Sequence, residues 1–171
     1  MPAGNTMSTT ANPYKEFLGT RNPQEVISAT PDHLATAVQQ LGPDGLERSY
    51  APGKWSARQI LCHLADCEIA FAFRLRQALA EEHHIIQPFD QELWSRPYAT
   101  IDAQQALLVF SGLRHWNLAL LETLSPADYA KPVTHPERGG MTFQTLLETI
   151  AGHDLNHLRQ LQAITPPGAS Q

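Results

Sequence analysis

The chain has 171 residues, 42% hydrophobic and 17% charged, with a mean hydropathy of −0.30, enough for one soluble domain with its own core and too few to expect two. A formal charge of −5 and a pI near 5.9 lack the basic footprint of a phosphate-reading surface, and no cluster of lysine and arginine suggests a membrane-surface role. No apolar run approaches the roughly 20 residues that cross a bilayer, so neither nucleic acid nor membrane is expected as a partner.

The opening MPAGNTMSTTANP carries neither a basic region nor an apolar one, which excludes a secretory signal; residues 1–20 read as a flexible tail. Four segments then show helical periodicity, and none shows strand alternation. The first spans about 23–41, with Asn22-Pro23 and Thr30-Pro31-Asp32 as possible starts and Gly42-Pro43 as a stop. The second spans about 55–82, with Ser56 as its cap. The third spans about 102–124, from Asp102 to Ser125-Pro126. The fourth spans about 142–164, opened by Gly139-Gly140 and Thr142 and stopped by Pro166-Pro167. Residues 21–165 are therefore expected to form the domain and 166–171 a second tail. Cys62 and Cys67 lie five apart on one predicted helix and point in different directions, so no disulfide joins them. Reduced thiols make a cytoplasmic location the expectation.

The 19-residue connection 83–101 is long for a helical bundle. A helix over 55–82 is about 42 Å long, and 19 extended residues reach about 60 Å. The chain can thus return along the bundle and start the third helix parallel to the second. An all-α four-helix bundle with a long crossover between helices 2 and 3 follows; the same stretch can also serve as a lid.

Among eight histidines, His153 and His157 are spaced to share one helical face, with Cβ atoms about 5–6 Å apart. About 0.4 such pairs arise by chance in this composition, so spacing alone leaves core histidines without a metal as an open alternative. Both, however, fall inside the apolar stripe Phe143, Leu146, Leu147, Ile150, Leu161 and Ile164, where imidazoles need partners. His63 flanks the stripe of the second helix. If helices 2 and 4 run antiparallel, all three histidines come level.

Lys54-Trp55-Ser56-Ala57-Arg58-Gln59-Ile60-Leu61-Cys62-His63-Leu64-Ala65-Asp66-Cys67-Glu68, then His135-Pro136-Glu137-Arg138-Gly139-Gly140-Met141-Thr142 and Ala151-Gly152-His153-Asp154-Leu155-Asn156-His157-Leu158-Arg159-Gln160, closely resemble the DinB-like superfamily of YfiT-type metalloenzymes over residues 25–164. The resemblance implies an up-down-down-up four-helix bundle, often a homodimer, with His63, His153 and His157 as ligands of one divalent metal ion. It also implies small-molecule chemistry, since the family includes transferases and isomerases that use low-molecular-weight thiols such as bacillithiol or mycothiol. A non-catalytic metal-binding or stress-response bundle is the alternative. Cys67, at a position usually small in the family, is either a fourth ligand closing the site or a buried filler.

Three neutral imidazoles leave the ion its full charge for an open position, which suits activation of water or of a thiol. Such a set accepts Zn, Ni or Fe. Glu68, on an otherwise apolar stripe, is the catalytic candidate, with a structural arginine pair as its other reading. Asp154, Asn156 and Asp66 are candidates to orient the imidazoles. Arg74 is a candidate for an anionic substrate group, Asn117 for the pocket and His135 for the cleft mouth. Trp116 is expected in the core, and His33, His83, His84 and His115 at the surface.

Overall fold

In a computed structural model, which describes residues 12–165, the chain is a four-helix bundle edged by a small sheet. The long helices are α2 (Pro23–Leu46), α3 (Ala57–Ala80), α5 (Ala103–Leu121) and α7 (Phe143–Ile164). Short turns form α1 (Lys15–Leu18), α4 (Gln91–Trp94) and α6 (Pro126–Tyr129). Strands β1 (His84–Ile85), β2 (Pro132–His135) and β3 (Gly139–Thr142) make one sheet in that order, with β1 parallel to β2 and β2 antiparallel to β3. The tail expected over 166–171, the stop at Pro166-Pro167 and the first 11 residues of the tail over 1–20 lie outside the described residues.

Local chemistry sets the helix starts. Asn22 accepts from the backbone N–H groups of Gln24 and Glu25, with Pro23 in the first turn. Ser56 accepts from Gln59 N while Gln59 Oε1 accepts from Ser56 N, a reciprocal cap. Asp102 and Thr142 cap α5 and α7 through Gln105 N and Thr145 N. The stop expected at Gly42-Pro43 is a kink instead: Gly42, at φ 61°, breaks the helix, which resumes and runs to Leu46. Pro31 lies inside α2 rather than at its start. Lacking an N–H, it leaves the Ile27 carbonyl without its helical donor.

Two core clusters fix the directions of the helices. One joins Leu34, Val38 and Leu41 of α2, Ile60, Leu61 and Leu64 of α3, Ala103, Ala106 and Phe110 of α5, and Leu158, Leu161 and Ile164 of α7. The other joins Ile27, then Cys67, Phe71 and Leu75, then Leu121, then Phe143, Leu146 and Ile150. The first half of α3 thus meets the first half of α5 but the second halves of α2 and α7, which is the up-down-down-up order. Helix α3 packs on α5 and α7, and α2 packs on the same two, so the consecutive helices α2 and α3 stand mainly across the bundle from each other.

Four features depart from expectation. Strands appear where no alternation was visible: β1 has two residues and acquires its partner Val133 only through the fold. The stretch read as a tail includes an ordered part, in which Leu18 is buried and Tyr14 packs on α7. Trp116 is 65% exposed, because the inward stripe of α5 runs Ala106, Phe110, Arg114, Asn117, Leu121 and a charged residue occupies the place apolar periodicity would fill. His84 is buried rather than exposed, its Nδ1 donating to Glu81 Oε2.

Candidate metal centre

Helices α3 and α7 bring their histidines level in the bundle centre. His63 Nε2 and His153 Nε2 are 3.1 Å apart, and both side chains are buried. The His157 ring lies 4.9 Å from that of His63 and 4.5 Å from that of His153, centroid to centroid. The separation of i and i+4 on α7 thus stacks two imidazoles, and the antiparallel α3 inserts the third beside them.

The three predicted rings lie side by side, but the ligand atoms of His157 fall outside the set that His63 and His153 form with Cys67. Its Sγ is 3.4 Å from His63 Nε2, and the donor atoms of His63, Cys67 and His153 all fall within 4.8 Å of one another. Cys67 follows His63 by one turn, so the same helical face presents both. Burial pushes its thiol well up from the ordinary range.

Two of the imidazoles, those of His63 and His157, are in the form a metal needs. Burial, and then the neighbouring His153, pull His63 down to about 3. Burial, then His153 and His63, likewise hold His157 well below the usual histidine range. Neutral rings keep a lone pair for a ligand bond. His157 Nδ1 is 2.8 Å from Gln160 Oε1, an acceptor, so Nδ1 carries the proton and Nε2 the lone pair. His153 Nδ1 is buried with no hydrogen-bond partner among the described residues. Asp154 Oδ1, at 4.0 Å, is too far to bond it and acts on it only as a charge. Two ligand nitrogens on one tetrahedral ion at about 2.0–2.1 Å stand roughly 3.3 Å apart, close to the His63–His153 separation. The residues present therefore fit a divalent ion of borderline softness.

Beneath the histidines lies a buried charge network that sequence patterning missed. Arg114 of α5, 1% exposed, donates to both Glu68 oxygens (3.0 and 2.7 Å), to Asp154 Oδ2 (2.6 Å) and to the Ile27 carbonyl that Pro31 leaves free (2.9 Å). Asn117 adds a bond from Nδ2 to Glu68 Oε1 at 2.7 Å and accepts from Arg76 at 2.6 Å. Glu68 thus takes the structural arginine pairing that was its other reading rather than the catalytic one, held from both sides and lining no cavity around the histidines. Which arginine pairs with it could not be read from its own helix, because Arg114 lies 46 residues away in sequence. Asn117 belongs to this network rather than to the pocket. Asp66 accepts from the Tyr98 hydroxyl at 2.7 Å instead of orienting an imidazole.

Two cavities reach the histidines. One, of about 200 Å³, is bordered by Tyr14, His63, Cys67, Arg74, Arg138 and His153. The other, of about 300 Å³, is bordered by Trp55, Asn156, His157 and Gln160. Tyr14 touches both, its ring 5.3 Å from that of His153. Its backbone lies on Gly152, where an added Cβ would stand 2.5 Å from the Tyr14 carbonyl oxygen; glycine beside the ligand histidine is what admits the N-terminal segment. His135, expected at the cleft mouth, and Arg138, for which no role was expected, are carried into the wall by the β2–β3 hairpin, whose turn closes at Gly139 with φ 81°.

A family model of the DinB superfamily matches residues 27–161. A protein of Oceanobacillus iheyensis named "putative metal-dependent hydrolase" is 30% identical over 139 residues, 81% of each chain. Bacillus subtilis YfiT, of the same designation, is 27% identical over 144 residues, 82% of this chain and 81% of that one. The solved structure of YfiT superposes with a TM-score of 0.78 at 27% identity, covering 83% of both chains. It is described as "a probable metal-dependent hydrolase with an unusual four-helix bundle topology".

Proposed function

Because the chain belongs to the DinB superfamily, we propose that it is a metal-dependent enzyme acting on a small molecule, its divalent ion held by His63, His153 and His157. The observation that carries this reading is the packing of three buried imidazoles against one another between two cavities. Zn, Ni and Fe all suit that donor set. When bound, such an ion supplies Lewis acidity that activates a water or thiol nucleophile near neutral pH. Hydrolysis is the class named for the relatives, and transfer to or from a low-molecular-weight thiol is the second class the resemblance supports.

The chain's own residues prepare the centre. Gln160 fixes the His157 tautomer and Asp154 places a negative charge beside His153. Phe71, Met141 and Leu146 give the cleft apolar walls that exclude water around the reacting groups. Tyr14 covers the ligands from the N-terminal side.

Inductively coupled plasma mass spectrometry on tag-free protein tests the reading. Stoichiometric divalent metal, lost in His63→Ala, His153→Ala and His157→Ala, is the expected result. Failure to take up metal on reconstitution refutes it. A second reading, a closed non-catalytic site, is favoured by Cys67 Sγ standing 3.4 Å from His63 Nε2. Cobalt substitution separates the two: a thiolate-to-metal charge-transfer band that Cys67→Ser abolishes marks the closed set.

A further inference from the structure

The cleft over the histidines contains two arginines without acid partners. Arg74, half-buried on α3, makes one hydrogen bond, from Nη2 to the Gln87 carbonyl at 3.1 Å, and stacks against Phe71 and Phe89 at 5.9 and 5.6 Å. Arg138, on the β2–β3 turn, has no side-chain hydrogen bond or ion pair among the described residues. The two are close enough for the charge of Arg138 to oppose that of Arg74, and burial opposes it more strongly. Glu137 borders the cleft but lies within ion-pair distance of neither arginine. His135 Nδ1 accepts from Glu137 N at 3.2 Å, which leaves Nε2 as its proton-bearing nitrogen and a further donor.

In a chain of net charge −5, two converging and partly desolvated guanidiniums are costly unless an anion completes them. The same cleft is lined by Phe71, Ile86, Phe89, Met141 and Leu146. At about 200 Å³ it falls below the roughly 300–1,000 Å³ of drug-sized ligand sites. It therefore takes a small molecule, or the end of a larger one, that is anionic at one point and apolar elsewhere.

We infer that the substrate is an organic acid whose carboxylate is held between Arg74 and Arg138, with its apolar body against Phe71 and Phe89 and its reactive end toward His63 and His153. This rests on the proposal that the histidines form the reaction centre, but the arginine clamp itself needs no metal. Arg74 and Arg138 are on this account specificity-determining residues.

Calorimetric titration of the full chain with phenylacetate and with phenylacetamide tests the clamp, in chelator-treated and in zinc-loaded protein. The acid is expected to bind about tenfold or more tighter than the amide, as for a hydrogen bond to a charged group. Arg74→Gln and Arg138→Gln should each cut that preference without weakening the amide, and Arg74→Lys should retain part of it. Equal binding of acid and amide, or a preference that survives in the double glutamine variant, overturns the inference. Acetohydroxamate, a metal-seeking probe without a carboxylate, reports separately on the centre. If it binds loaded and chelated protein alike, the metal reading fails while the arginine result still stands on its own.

Discussion

Replacing Arg114 by methionine keeps the length and apolar stem of the side chain but removes the cation at the meeting point of Glu68 and Asp154. In the native protein these carboxylates are 2% and 1% exposed and receive four bonds from the guanidinium, at 2.6–3.3 Å. Breaking a buried ion pair by removing one partner costs about 3–5 kcal/mol, a large share of the roughly 5–15 kcal/mol that holds a domain together. At about 2–4 °C per kcal/mol for a domain of this size, the melting temperature should fall by about 6–20 °C. Glu68 keeps its bond from Asn117, whereas Asp154 is left with a distant imidazole, so Asp154→Asn in the Arg114→Met background should restore roughly 1–3 kcal/mol.

The pH dependence supplies an independent check. Burial raises Asp154, but the charge of Arg114 and its hydrogen bonds outweigh burial and hold the carboxyl below the usual range. That contribution is present above the unfolded value near 3.9 and is lost as pH falls through the folded one. Without Arg114 the raising effect of burial, the largest of the causes, is opposed only by His153, and the sign reverses: the variant loses stability as pH rises through the carboxyl range. The gap between Arg114→Met and the parent should therefore narrow from pH 7 to about pH 5. Urea unfolding of chelated protein, followed by circular dichroism, measures both quantities. A gap below about 1 kcal/mol at pH 7, or one that widens on acidification, refutes this account of the network.

Two further outcomes are expected. Gly152→Ala places a methyl 2.5 Å from the Tyr14 carbonyl oxygen and 2.7 Å from its Cβ, so the N-terminal segment must move despite the better helix propensity of alanine. A net loss of about 1–3 kcal/mol, with proteolysis near Tyr14 preceding global unfolding, is the expected result; unchanged melting and cleavage count against it. Burial, followed by the neighbouring imidazoles, holds His63 down to about 3 and His157 well below its usual range. The unfolded chain therefore takes up protons first as pH falls below about 6.5, and metal-free protein should lose stability progressively from there. A flat urea midpoint between pH 7 and 5 would contradict the buried neutral imidazoles.

The long helices were legible because each couples a clear apolar period to a capping residue, as in Ser56 with Gln59 or Asn22 before Pro23. The meeting of His63 with His153 followed from the length of one connection, which is a global property yet can be read off the chain. What escaped notice depends on partners distant in sequence. Val133 becomes a strand only by finding His84 and Met141. Tyr14 sits in an unremarkable stretch and matters because Gly152 lacks a side chain. Arg114 interrupts an apolar stripe, and reading that stripe by hydrophobicity moved Trp116 inward and left the cation outside. Pro31 looked like a helix start because a proline in the interior leaves a carbonyl unserved, and the donor that serves it lies on another helix.

That carbonyl gives Arg114 a contact on α2 in addition to those on α3 and α7, so one side chain of α5 touches all the other long helices. Apolar ridges alone tolerate sliding, because leucine on leucine is nearly as good one turn along. A slip of one turn displaces a helix by about 5.4 Å. It would strand a carboxylate or the guanidinium in the dry interior, and it would part His63 from His153, now 3.1 Å away. The cation thus acts as an axial lock, fixing the vertical alignment of helices whose side chains make up the centre. The precision demanded of the histidines is met by a residue that belongs to neither of their helices.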